Sequence, residues 1–335
     1  MYRIGILGAG TFGMALSRLL SRNGHAVTVW SHHSGHLSEL AQTRTHPKLP
    51  DMVIPAEVDF TPELSEICRD KDVLLFAVPS VYVRQVAHDA SPYIPAGQII
   101  VDVAKGIEPG TLLTMCGVLR DELDRPGRTI RTVALSGPTH AEEVALDLPT
   151  AIISAGEDAE AAALVQDLCM NTCMRVYTNT DALGVELSGA MKNIMALASG
   201  IAAGVGGGDN IRAAIITRGM AEITRLGIAM GCRMETFYGL AGIGDLIVTA
   251  MSRHSRNNRA GFLIGQGRSA AEAAAEVGMV VEGLNALPAA MELSRTYRVE
   301  LPIAQTVNAI VCGQVSPAEG VRALMERDRK PERIS

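Results

Sequence analysis

Paired cysteines, long uncharged runs and an excess of positive charge are what this sequence lacks, and each absence removes a class of protein. Its six cysteines, Cys68, Cys116, Cys169, Cys173, Cys232 and Cys312, are scattered and carry no zinc-binding spacing. Cys169 and Cys173 lie four apart, close enough to meet on a helix, and are read as two buried reduced thiols. No uncharged stretch reaches the length of a membrane span. With 30 Lys and Arg against 36 Asp and Glu the net charge is −6, which argues against a nucleic-acid or anionic-membrane surface. An anionic ligand must then be met by local cationic groups. The first apolar strand begins almost at Met1, with no basic leader or cleavage site before it, so no signal peptide is expected. There is no low-complexity segment and no internal repeat. These absences lead to the expectation of a reduced, cytoplasmic, metal-free protein.

What is present is apolar and long. Hydrophobic residues make up 47% of the 335 and the mean hydropathy is +0.19. That length exceeds one ordinary core and predicts two domains. Ile4 to Leu7 is a short apolar run suited to a buried parallel strand. Gly8-x-Gly10-x-x-Gly13 follows, and Phe12, Ala15, Leu16, Leu19 and Leu20 then recur at helical spacing. In a strand-turn-helix the first glycine permits the tight turn and the second lets backbone approach a pyrophosphate. The third lets helix pack close on strand. The helix N-terminus offers free N–H groups and a positive dipole end. Gly8, Gly10, Thr11, Phe12 and Gly13 are therefore candidate dinucleotide-binding residues.

Farther along, Asn23-Gly24 caps the first helix and Ala26 to Trp30 reads as the second strand. A short helix over 37–42 precedes a proline-marked loop, and Thr61-Pro62-Glu63 opens another helix. Strands over 73–78, 98–103, 132–135 and 150–154 alternate with helices near 81–90, 111–123 and 158–169. The pattern predicts an α/β Rossmann-like, doubly wound, mostly parallel sheet over residues 1–180. After about Thr180 alanine, glycine, methionine and leucine dominate at helical spacing. This predicts an all-α domain over 181–335, whose last residues, 327–335, form a charged loose tail.

An acidic residue at the end of the second strand would hold the ribose hydroxyls of NAD. Here Trp30 is followed by Ser31, His32, His33 and Ser34, and the first acid is Glu39. A hydroxyl and two imidazoles tolerate a 2′-phosphate, which favours NADP(H), with NAD(H) possible. Capping of a surface loop by these histidines is the competing explanation.

Chemistry is expected at the carboxyl ends of the strands. Val78-Pro79-Ser80, Lys105 in Val103-Ala104-Lys105-Gly106, and Ser136-Gly137-Pro138-Thr139-His140-Ala141 stand there. A solvated Lys105 and a plain N-terminal cap at Thr139 are the ordinary alternatives. In the helical half, Lys192 lies about 200° around its helix from Ala190. It is either a snorkelling lysine or a desolvated one whose lowered pKa lets it exchange a proton with a carbonyl oxygen. Gly242-Ile243-Gly244-Asp245 presents one carboxylate. Arg253, Arg256 and Arg259, three arginines within seven residues, suit a phosphate or an ordinary solvated face equally.

Taken in order, Gly8-Ala9-Gly10-Thr11-Phe12-Gly13, Val78-Pro79-Ser80, Lys105-Gly106-Ile107-Glu108, Ser136 to Glu143, Lys192-Asn193, Gly244-Asp245-Leu246, Ser255-Arg256-Asn257 and Val281-Glu282-Gly283 form a specific set. From Ile4 to about Ala323 the chain closely resembles the bacterial glycerol-3-phosphate dehydrogenase [NAD(P)+] family. The resemblance implies a homodimer that reduces dihydroxyacetone phosphate to sn-glycerol 3-phosphate, feeding phospholipid synthesis. It places Thr11, Phe12, His32, His33, Ala141, Arg256, Val280 and Glu282 along the dinucleotide. Lys105 would touch both nicotinamide and substrate, while Gly137 and Thr139 would help hold the substrate. Lys192 would trade the proton, Asp245 would orient it, and Ser255, Arg256 and Asn257 would take the phosphate. The chain departs from the family between residues 43 and 50, where Arg44-Thr45-His46-Pro47-Lys48 replaces the usual asparagine and aromatic before Leu49-Pro50. Two rivals remain from the residues alone: a 2-hydroxy-acid or ketoacid dehydrogenase on the same cofactor domain, and a dinucleotide-binding sensor without turnover.

Overall fold

Strands buried on both faces need continuous apolar runs, and the first half of the chain supplies them. The computed structural model describes residues 1–252, 254–329, 331 and 332. The ten strands among the described residues are β1 (Arg3–Leu7), β2 (Ala26–Trp30), β3 (Thr45–His46), β4 (Leu49–Val53), β5 (Asp59–Thr61), β6 (Val73–Phe76), β7 (Ile99–Asp102), β8 (Arg131–Ser136), β9 (Thr150–Ala155) and β10 (Met174–Asn179). Eight of them form one sheet in the order β10-β9-β8-β7-β6-β1-β2-β5, and β3 and β4 form a separate antiparallel pair. Every pairing in the large sheet is parallel except β8 with β9. The sheet winds outward in both directions from β1 and β6, the topology of a Rossmann-like domain.

Alternate residues of the strands serve the two faces. Ile4, Ile6, Val73, Leu75, Ile99, Val101, Val133 and Leu135 share one core cluster with Met14, Leu16 and Leu20 of the helix Thr11–Arg22. That helix packs with Ala141–Ala145 and Ala159–Cys169. Helices Leu64–Cys68, Val83–Ala90 and Met115–Leu123 pack with one another in sequence. Gly5 faces the first of these, where a Cβ would stand 2.6 Å from the Ile67 carbonyl oxygen.

Three expected local details change. Thr61 ends β5, and the following helix starts at Leu64, after an extended Glu63, so Pro62 is not its first residue. The residues before Pro55 expected as a loop contain the β3–β4 hairpin, which local propensity conceals because two prolines interrupt it. Strand β10, with alternating buried Met174 and Val176 and exposed Arg175 and Tyr177, adds to the expected strands.

By contacts within the chain, Met1–Ala104 and Met115–Ala182 form one unit, and Lys105–Thr114 joins Leu183–Ser335 in the second. The second is built from helices Ala182–Gly204, Asp209–Ala229, Met234–Phe237, Asp245–Met251, Arg256–Gly265, Ala270–Val277, Glu282–Thr296, Pro302–Val311 and Pro317–Met325. Every residue from Gly184 to Ala202 is buried, so the first of these is surrounded rather than amphipathic. Small residues make this possible. Where it crosses Arg256–Gly265 the Cα atoms of Gly204 and Gly265 leave no room for a side chain on either, and a Cβ on Gly261 would overlap the Leu197 carbonyl oxygen. Of the expected tail, Lys330 and residues 333–335 lie outside the described residues, and Arg327–Arg329, Pro331 and Glu332 carry no helix or strand.

A second buried group ties this unit together. The Glu222 carboxylate accepts N–H bonds from Ile303 at 2.7 Å and Ala304 at 3.3 Å, capping the helix Pro302–Val311 from another element. Burial pushes its carboxyl up to about 7, against those two donors and the Arg225 guanidinium.

Two outcomes follow from these contacts. Gly261→Val will lower stability by about 1–3 kcal/mol or prevent folding, read as a fall in thermal midpoint, because backbone cannot yield to the added carbons. For Glu222 the folded pKa lies above the unfolded one, so its contribution is present at low pH and is lost as pH rises through about 7. Denaturant titrations between about pH 5 and 8 will show a decline on the order of 2–3 kcal/mol that Glu222→Gln removes.

Candidate active site

The helix Asp245–Met251 continues directly from the π-helical turn Leu240–Gly244, and Asp245 stands at the junction where the turn tightens. Asp245 is only 1% exposed, and two ammonium groups answer its charge. Lys192, 5% exposed on the surrounded helix, donates to Asp245 Oδ1 and, at 2.6 Å, to Thr249 Oγ1. Lys105 Nζ donates to Asp245 Oδ2 at 2.8 Å. Thr249, one turn after Asp245, donates its own hydroxyl to Oδ1 at 3.3 Å. The snorkelling alternative for Lys192 therefore fails, as does a freely solvated Lys105.

Burial sets the energetics of this cluster. It strips water from the Lys192 ammonium and pulls its pKa down to about 7, Lys105 adding to the fall and Asp245 opposing it. Burial alone would raise Asp245, but Lys105 and Lys192 together outweigh it and hold the carboxyl below its usual range. A lysine poised near neutrality gives or takes a proton with little driving force lost in either direction. Among the described residues no group of His, Cys, Asp and Glu is arranged to hold a metal ion.

A chain of amides joins this cluster to the candidate phosphate residues. Asn193, next to Lys192, donates to the Lys105 carbonyl at 3.2 Å and accepts from Asn257 Nδ2 at 2.9 Å. Asn257 Oδ1 accepts the Gly283 N–H at 2.8 Å. The bonds point one way from Gly283 to Lys105, so each polarises the next. Asn257 is thus buried and committed through its side chain. Ser255 is the N-cap of the helix Arg256–Gly265, its hydroxyl accepting the Asn258 N–H at 3.2 Å. The N–H groups of Arg256 and Asn257, and the half-buried Arg256 guanidinium, have no partner among the described residues. Arg253 lies outside the described residues. Val280 is half-buried, and Glu282 opens the helix Glu282–Thr296 beside Gly283.

The other candidates stand in the first unit. Gly8 has φ +126°, and a Cβ on it would lie 2.6 Å from the Ala77 carbonyl. A Cβ on Gly13 would overlap the Gly8 carbonyl. Gly10 is the extended N-cap of Thr11–Arg22, has open space where a side chain would be, and keeps its N–H without a partner among the described residues. Half-buried Thr11 and Phe12 follow it. His32 and His33 are exposed after β2, and His33 holds the N-cap position of Ser34–Thr43 without a side-chain capping bond. Gly137 has φ +153° at the end of β8, Thr139 donates to its carbonyl at 3.1 Å, and Ala141 starts the helix Ala141–Ala145. The open cradle at Gly10 fits a dinucleotide pyrophosphate.

Thr249 and Asn193 join the site although neither stands out as a chemical candidate in the sequence. The signal for Thr249 was its four-residue spacing from Asp245 on one helix face; Asn193 appeared only as Lys192's neighbour.

The model of the NAD-dependent glycerol-3-phosphate dehydrogenase N-terminus matches residues 3–162, and that of its C-terminus residues 181–322. The chain is 61% identical over 334 residues to glycerol-3-phosphate dehydrogenase [NAD(P)+] 2 of Lactobacillus delbrueckii subsp. bulgaricus, covering 99% of each. It is 47% identical over 336 residues to glycerol-3-phosphate dehydrogenase [NAD(P)+] of Agathobacter rectalis, covering 100% of this chain and 99% of that one. The crystal structure of glycerol-3-phosphate dehydrogenase from Coxiella burnetii matches with a TM-score of 0.92 at 35% identity, over 97% of this chain and 99% of that one. With both halves matched and relatives similar along the full length, the chain belongs to the NAD-dependent glycerol-3-phosphate dehydrogenase family.

Proposed function

We propose that the protein is an NAD(P)-dependent sn-glycerol-3-phosphate dehydrogenase that reduces dihydroxyacetone phosphate to sn-glycerol 3-phosphate for glycerophospholipid synthesis. Residues 1–180 serve as the dinucleotide-binding domain and 181–335 as the substrate domain, with Lys105 contributed by the first stretch of chain. The observation that carries the reading is the buried Lys192 ammonium held between Asp245 and Thr249 with Lys105 on the far carboxylate oxygen.

When bound, the nicotinamide supplies the hydride that the protein lacks. As the ketone becomes an alkoxide, negative charge grows on its oxygen. Lys192 stabilises that charge and delivers the proton, while Asp245 fixes the direction of the ammonium. In alcohol oxidation the same nitrogen accepts. Lys105 adds positive charge beside both groups. Arg256 and the unpaired N–H groups of its helix suit the phosphate, and the Ser255 hydroxyl retains its own proton to donate. Because the Asn257 side chain is committed elsewhere, its contribution comes through its backbone N–H. Gly137 and Thr139 assist in holding the substrate. Gly8, Gly10, Thr11, Phe12, Gly13, His32, His33 and Ala141 hold the dinucleotide, with Arg256, Val280 and Glu282. The absence of an acid after β2 favours NADPH over NADH, and the protein works as a cytoplasmic homodimer.

Three measurements test this. NADPH, then NADH, oxidation with dihydroxyacetone phosphate as sole substrate will be rapid, and dihydroxyacetone will not replace it; no consumption from protein that still binds NADPH would sink the proposal. Lys192→Ala will lose about 10²–10⁴ in kcat with little change in KM, whereas Arg256→Ala will mainly raise KM for dihydroxyacetone phosphate. The pH profile separates the directions. Reduction needs the ammonium, so its kcat/KM falls as pH rises through about 7, while alcohol oxidation needs the free amine and rises there. Asp245→Asn removes the carboxylate that supports the ammonium, so the turning point moves to lower pH.

A further inference from the structure

The Ala9–Gly10 peptide is the soft point of the glycine turn, because Gly10 has no Cβ to resist rotation of its plane. Turned one way, the Gly10 N–H faces the open space above the helix N-terminus; turned the other, the Ala9 carbonyl would face it and repel an anion. The C=O and N–H of a trans peptide point in opposite directions, and this chain has no cis peptide bond among the described residues. A group that holds the Ala9 carbonyl back therefore holds the Gly10 N–H forward.

Two imidazoles stand on that side. His36 Nε2 lies 3.4 Å from the Ala9 oxygen, and since a carbonyl only accepts, Nε2 carries the proton. The His46 ring meets the His36 ring edge-on, with centroids 5.7 Å apart and planes at 81°. His46 is buried in β3 of the hairpin, and its Nδ1 accepts the Lys48 N–H at 3.2 Å. That bond leaves the proton on the other ring nitrogen. Burial and the neighbouring His36 hold the His46 imidazole below its usual range, with Lys48 acting in the same sense and the Ala9 carbonyl and Glu39 opposing. Tied to the Lys48 N–H and lying against the Ala9 carbonyl, the His46 ring backs His36 and faces the same oxygen.

We propose that His36, braced by His46, is a positioning residue for the dinucleotide: it holds the Ala9 carbonyl so that the Gly10 N–H is presented to the pyrophosphate. This rests on the dinucleotide reading of the glycine turn. His36 touches no reacting atom, so its effect falls on cofactor affinity and not on the chemical step.

The test uses the full chain and NADPH itself, titrated by fluorescence, alongside steady-state kinetics. His36→Leu keeps volume but removes the donor, and will raise both the Kd and the KM for NADPH about three- to tenfold, with kcat at saturation unchanged. His36→Gln carries an amide donor near the Nε2 position and will return both to within about twofold of the parent. His46→Leu will weaken binding in the same direction by a smaller factor, and serves if His36→Leu does not fold. Equal NADPH affinity in the parent and in the leucine variants, or a glutamine variant as weak as the leucine one, overturns the proposal. A parent that binds neither NADPH nor NADH overturns the dinucleotide reading instead, and with it this inference.

Discussion

A charged nitrogen in the middle of a helix with no exposed face is the constraint on which the second half of this protein is built. Taking the Lys192 ammonium out of water costs several kcal/mol unless another group answers its charge. The answer is Asp245, itself buried, whose second carboxylate oxygen takes Lys105 into the same cluster. Removing Asp245 leaves the Lys192 ammonium uncompensated in a dry place, whereas either lysine alone still pairs with the carboxylate. The burial that makes the cluster expensive also brings Lys192 to the pKa at which it can exchange protons.

Such a cluster requires helices that approach unusually closely, and the glycines provide this. Backbone meets backbone where Ala182–Gly204 crosses Arg256–Gly265, with Gly200, Gly204, Gly261 and Gly265 at the contact. The crossing fixes Asn193 against Asn257, and so sets the distance between the lysine and the N-terminus that carries Arg256. Gly283, whose Cβ would stand 2.6 Å from the Asn193 carbonyl, continues the same close approach into a third helix. Packing and site are thus one arrangement: the small residues that let the helices touch also bring the amides into line.

The first unit solves a different problem, how to offer backbone donors to an anion without charged side chains. Gly8 turns the chain, Gly13 lets the helix settle on the strand, and Gly10 keeps an N–H without a partner among the described residues, with open space where a side chain would stand. Among the described residues that helix has no acid in its first turn, which would compete with a bound phosphate.

Residues close in sequence were legible because their physics is local. The β1-turn-helix is dictated by an apolar run, three glycines with separate steric duties and a helical apolar spacing, all within twenty residues of one another. The same holds for the other sheet strands rich in valine, isoleucine and leucine. The hairpin of β3 and β4 and the polar strand β10 were hidden, since their pairing depends on neighbours and not on composition. The order of strands in the sheet was legible only as a class, from alternation of strand and helix. What tertiary structure alone decided is the meeting of Lys192 with Asp245, 53 residues away, and of Lys105 with the same carboxylate across 140 residues. Alone in the sequence, Lys192 reads more readily as a solvent-seeking side chain, because burial is a property of what packs around a helix. The chain's local pattern determined which residues were able to do chemistry, and the crossing of helices decided which of them lost their water and became neighbours.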